Sequence, residues 1–138
     1  SDAAHEGKLP NLFWKNTSTK ERFGIVDLNG IYTDKYKGAI AYAYTTFESS
    51  SAKNVQLRLG CVNANKIWLN GTLLTRNNVY HANMMIDQYI VDASINKGTN
   101  YILLKIAQNE QEEEWAQRWQ FQLRVCDTNG TAVLANNR

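Results

Sequence analysis

Apolar and polar positions alternate with a period of two along most of this chain, and the strands that this predicts fall at short, regular intervals. The clearest run is residues 54–62, where Val55, Leu57, Leu59 and Cys61 share one face while Gln56 and Arg58 share the other. Residues 89–95 repeat the pattern, with Tyr89, Val91, Ala93 and Ile95 inward and Asp92 and Ser94 outward. Residues 100–108 place Ile102, Leu104 and Ile106 on a core face, and residues 119–127 do the same with Trp119, Phe121, Leu123 and Val125. Residues 39–48 are rich in β-formers but apolar on both sides, Ile40, Tyr42 and Tyr44 against Ala41, Ala43 and Phe47, which predicts a central, covered strand. Residues 23–28 read as a first strand ended by Asn29-Gly30, and residues 131–134 as a short edge piece.

Turn signals separate these runs. Ser49 to Ser51 and Asn63-Ala64-Asn65 flank the run 54–62, and Asn70-Gly71 predicts a type I′ hairpin after a strand at 66–69. Residues 75–87 read as a long polar loop, and 109–118 as a loop or short helix in which Trp115 and Trp119, four apart, would stack on one face. Seven or eight short strands without a long helix make an all-β antiparallel sandwich. Residues 1–22 are read as an irregular N-terminal segment packing on it, and residues 23–138 as the single sandwich domain.

Composition narrows the partners. With 43% apolar and 20% charged residues, the 138-residue chain has the make-up of a folded domain, and no apolar run nears the roughly 20 residues that span a bilayer. The opening SDAAHEGK has no apolar stretch of a signal peptide and reads as the polar edge of a mature or excised domain. A net charge of +2 with scattered Lys and Arg, and an acidic run at Glu110 to Glu114, disfavours nucleic acid. Parity puts the Cys61 sulfur in the core and the Cys126 sulfur on the polar side of its strand, so the two cysteines are expected to be separate thiols.

No enzyme constellation is present. The two histidines, His5 and His81, have no metal-ligand spacing, and neither a nucleophile elbow nor a phosphate-cradling glycine loop occurs. No catalytic residue is therefore expected.

Residues 39–127, about two-thirds of the chain, resemble the galactose-binding-domain-like jelly roll, especially the sugar-binding sandwich domains attached to glycoside hydrolases (family 2 among them) and to other large secreted bacterial proteins. The matching pieces are AYAYTTFES, VQLRLGCVNANKIWLNG with its Trp-x-Asn-Gly turn, Asp87 before a strand, INKGTNYILLKI, WQFQLRV and DTNG. The insertion NEQEEEWAQR and the loop 76–87 depart from that pattern. The resemblance implies a non-catalytic carbohydrate-binding module of a larger secreted or cell-surface protein, with a poly- or oligosaccharide and neighbouring domains as partners. The alternative is an accessory sandwich that packs on a neighbouring domain and binds no sugar. Jelly rolls of this kind frequently hold a structural calcium, and Asp27, Asp34, Asp87 and Asp92 offer carboxylates, but no EF-hand-like spacing occurs, so calcium stays open without being predicted and no other cofactor is named.

A sugar site needs flat aromatic faces beside planar polar groups. The candidates are Arg76, Asn78, Tyr80 and His81 in the long loop, Trp115 in the insertion, and Trp14 near Tyr32 and Tyr36. Trp68 and Trp119 are assigned to structure. The polar set Gln56, Arg58, Gln120, Gln122 and Arg124 reads as the solvated side of a sheet.

Overall fold

The computed structural model describes residues 13–133 and 135; the part of the N-terminal segment before Phe13 lies outside them, as do Leu134 and residues 136–138. Alternation does what the sequence demands. β3 (Lys53–Cys61) turns Val55, Leu57, Leu59 and Cys61 inward between β6 (Tyr89–Ile95) and β8 (Gln120–Cys126), so that Leu57 lies between Val91 and Val125 and Leu59 between Tyr89 and Leu123. With the two-residue β1 (Val26–Asp27), these strands form sheet A in the order β1-β8-β3-β6.

Sheet B has the order β2-β7-β4-β5: β2 (Ile40–Ser49), β7 (Gly98–Ala107), β4 (Asn65–Leu69) and β5 (Thr72–Asn77). Its inner face supplies Ala41, Ile67, Leu69, Ile102, Leu104 and Ile106, all buried, to one core shared with sheet A. Each fully buried Leu or Ile contributes about 1.5–3 kcal/mol relative to exposure. All pairings are antiparallel, so the protein is an all-β sandwich. The sheets nest the strands from the outside of the sequence inward: β1 pairs β8, β2 pairs β7, β3 pairs β6 and β4 pairs β5.

Asn70 (φ 49°) and Gly71 (φ 83°) both adopt positive φ at the β4–β5 hairpin, as a type I′ turn requires. Other expectations fail for identifiable reasons. β2 is an edge strand rather than a central one; Tyr44 on its outer face stacks on Tyr101 and meets Trp14 instead of being covered by another layer. The strand expected at 23–28 shrinks to Val26–Asp27, because the Asp27 carboxylate accepts from Asn29 N (3.0 Å) and caps the helical turn Leu28–Ile31, which absorbs Asn29-Gly30. The long loop starts only at residue 78, since Thr75, Arg76 and Asn77 pair with β4. At residues 131–134, a single bridge from Ala132 to Cys126 replaces an edge strand among the described residues. Trp115 and Trp119 do not stack: the short 3-10 turn Glu114–Ala116 ends between them, leaving Trp115 exposed while Trp119 is buried against Tyr32. Cys126 does lie on the outer side of β8, but it is fully buried there rather than facing water; both cysteines are free.

Candidate functional site

One end of the sandwich is held together by side-chain amides. Asn77 donates to Asn65 Oδ1 (2.9 Å), Asn65 donates to the Asn63 carbonyl (3.0 Å), Asn63 donates to Gln108 Oε1 (3.1 Å), and Asn109 donates to the same oxygen and to the Ala116 carbonyl (both 3.0 Å). Gln108 in turn donates to the Gln117 carbonyl (3.3 Å). Asn63, Asn65, Gln108 and Asn109 are buried, so each unmade bond would cost more than a made one gains. The chain fastens the end of β5, the 63–65 turn and the inserted segment to one another. The loop 78–88 joins it through His81 N, which donates to Asn63 Oδ1 (3.4 Å), and Ala82 N, which donates to the Val62 carbonyl (2.8 Å).

Two features rise from this braced end. The first is a groove of about 560 Å³ on the outer face of sheet B, lined by Ile40, Ala64, Lys66, Arg76, Asn77, Asn78, Lys105 and Ala107 with Asn65 at its base. Register explains it. Lys66 is paired with Lys105 on one side and Arg76 on the other, making a row of cations across β7, β4 and β5. The next row outward along the same face is Tyr44, Leu103, Trp68 and Leu73. Beyond it, Tyr44 stacks on Tyr101 with ring centres 6.4 Å apart, and Trp14 tilts against Tyr44 at 6.1 Å.

The second feature is an aromatic ledge. His81, at φ 54°, lies edge-on to Tyr80 at 4.3 Å and tilted to Trp115 at 4.8 Å, while Tyr80 and Trp115 remain 54% and 66% exposed. Tyr80 donates its hydroxyl to Glu110 Oε1 (2.9 Å). Loss of surrounding water, then that bond, raises the Tyr80 pKa; Glu110's own backbone N–H, then the phenol, lowers the Glu110 pKa. His81 Nε2 is buried without a hydrogen-bond partner among the described residues.

The structure thus divides the sequence candidates. Tyr80, His81 and Trp115 come together on the ledge, Arg76 and Asn78 lie in the groove, and Trp14 sits farther along sheet B. Trp14 is separated from its expected neighbours, because Tyr32 stacks on Trp119 and meets Tyr36 edge-on instead. Lys66, Lys105, Trp68, Tyr44 and Tyr101 were missed as surface residues of this face. The signal was available for Trp68, whose parity is opposite to that of Ile67 and Leu69.

The outer face of sheet A is not an open wet surface. Loop 78–88 folds over it: Asp87 N donates to Gln122 Oε1 (3.3 Å), and Arg124 donates to both Asp87 oxygens (Nε to Oδ1 at 2.9 Å, and Nη2 to Oδ2). Arg58 reaches Asp87 at 3.5 Å, and Gln122 is fully buried. Among the described residues, no three His, Cys, Asp or Glu side chains gather where they could hold a metal, and no helix is long and apolar enough to cross a membrane. Comparison with protein families, with curated proteins and with solved structures returns no match, so the groove and ledge are read from their own geometry.

Proposed function

We propose that this domain is a non-catalytic carbohydrate-binding module of a larger secreted or cell-surface protein. The observation that carries the reading is the pairing, at one amide-braced end, of a polar groove with two exposed aromatic faces. A pyranose presents C–H bonds on one side and hydroxyls around its rim, so it is held by an aromatic face together with planar donors and acceptors. Tyr80 and Trp115 offer the faces; Arg76, Asn77 and Asn78 offer the polar groups. The nested strand pairing supports the jelly-roll, galactose-binding-like reading, since folding one long hairpin over itself produces such an order. No side chain is assigned a catalytic role and no metal or other cofactor is invoked.

The test is an affinity gel and a glycan array carrying plant, algal and host polysaccharides, run with the parent protein and with Tyr80→Ala and Trp115→Ala. Retention that either substitution weakens supports the module; no retention on any glycan removes it. The second reading, an accessory sandwich that packs on a neighbouring domain, draws on Met85 and Ile86 in the loop and Ile90 on the outer side of β6, all exposed. It predicts that a neighbouring domain, added in trans, shields these three from solvent labelling.

A further inference from the structure

We infer that the groove on sheet B takes a negatively charged sugar residue, one bearing a carboxylate or a sulfate ester, on Lys66, Lys105 and Arg76; this rests on the carbohydrate-binding reading above. Cross-strand neighbours on one face lie about 4.5–5.5 Å apart at Cβ, and like charges directly opposite destabilise a sheet. Here three cations stand side by side on consecutive strands. No Asp or Glu lines the groove, and among the described residues none of the three forms an ion pair.

Sheet A of the same molecule provides the control. There too register sets two cations opposite one another, Arg58 beside Arg124, and the fold brings Asp87 from a distant loop to sit between them. One sheet neutralises a pair of stacked cations internally, whereas the other leaves a row of three without a counter-charge. A ligand anion completes the second arrangement. The surroundings favour a sugar acid over a bare ion: the small apolar surfaces of Ala64 and Ala107 and the side of Ile40 make a floor for C–H groups, and Asn78 carries a side-chain amide with no partner among the described residues.

The experiment is retention of the protein on polygalacturonate (carboxylate only), carrageenan (sulfate only) and neutral galactan, at low and high salt, with poly-glutamate as a non-sugar polyanion. Parent protein is compared with Lys66→Gln, Lys105→Gln and Arg76→Gln, each first checked for an unchanged melting temperature. The expected result is binding to at least one acidic polysaccharide, weakened at least about tenfold by each substitution and reduced by salt, with the carboxylate and sulfate arms identifying which anion is read. Tight binding to galactan with none to either acidic polymer overturns this inference and leaves the sugar-binding reading standing. Equal, equally mutation-sensitive binding to poly-glutamate also overturns it, because the row would then recognise charge without a sugar. Binding to none of the three overturns this inference, and the sugar-binding reading then stands or falls on the wider glycan array alone.

Discussion

Asp87 holds two arginines at once, from a backbone with φ 56° that Asp and Asn adopt more readily than most residues. The hydrogen bond from Arg124 above all, aided by Arg58, lowers its pKa against the opposing effect of burial. A depressed folded pKa means that the native state binds fewer protons than the unfolded one, so stability rises with pH across that range. The contribution is complete above the unfolded value of about 4 and is lost as pH falls through the lower folded value. Asp87→Asn keeps the shape and the φ preference while removing the charge. It is expected to cost about 1–3 kcal/mol in urea denaturation at neutral pH, with the deficit closing in acid; an equal deficit at both pH values would show that the charge is not what matters. The cysteines make a second test at this scale. Burial pushes the Cys61 thiol up to about 11, and both sulfurs are inaccessible, so a thiol reagent at pH 8 should find none in the native protein and two per chain in denaturant.

At the scale of elements, two glycines separate strain from crowding. A Cβ at Gly71 would meet nothing within 4 Å, so Gly71→Val tests the positive φ alone and should lower stability by about 1–3 kcal/mol. A Cβ at Gly60 would run into the Met85 carbonyl, which the loop lays across sheet A. Gly60→Ala should therefore loosen residues 84–88, seen as faster amide exchange there, whereas Gly71→Val leaves that segment alone; identical exchange in the two variants would mean that the loop is not seated on Gly60. The same contrast shows what the sequence made legible. β3, β6 and β7 are readable to within a residue or two because apolar residues alternate strictly along one face of each, and the Asn70-Gly71 turn announces itself locally. β2 is misread because Tyr42 and Tyr44 suggest coverage, when Tyr44 shields itself on Tyr101 and Trp14 at an edge. The burial of Gln122 is invisible for a different reason: what closes over it is a loop more than thirty residues away from β8, and no periodicity records it. The cation row is likewise a product of register between three strands, each of which shows only one unremarkable basic residue.

In the molecule as a whole, stability and surface chemistry are placed apart. The core and the buried amide chain fix where Tyr80, His81 and Trp115 stand, while the exposed rings themselves hold little of the fold: the Tyr80 hydroxyl bonds an exposed Glu110, and Trp115, two-thirds exposed, tilts against His81. Sequence candidates found the ledge because aromatic residues in loops are conspicuous, and of the groove they found only Arg76 and Asn78, because Lys66 and Lys105 join it through strand register. Truncating an exposed ring removes contact area without opening a core cavity, so Tyr80→Ala should shift folding stability by under about 0.5 kcal/mol. If the ledge stacks on a sugar, the same change should weaken binding by at least about 1.5 kcal/mol, since a stacked ring and its flanking hydrogen bonds carry most of a weak affinity. Asn63→Ala should do the reverse. Asn63 donates to Gln108 and accepts from His81 N, so its loss breaks the brace and lowers the melting temperature, with binding weakened only as far as the ledge is displaced. Melting curves and retention on one bound polysaccharide, measured side by side for the two variants, check this division; a Tyr80→Ala protein that melts early and binds normally would make Tyr80 a structural anchor and leave Trp115 as the stacking face.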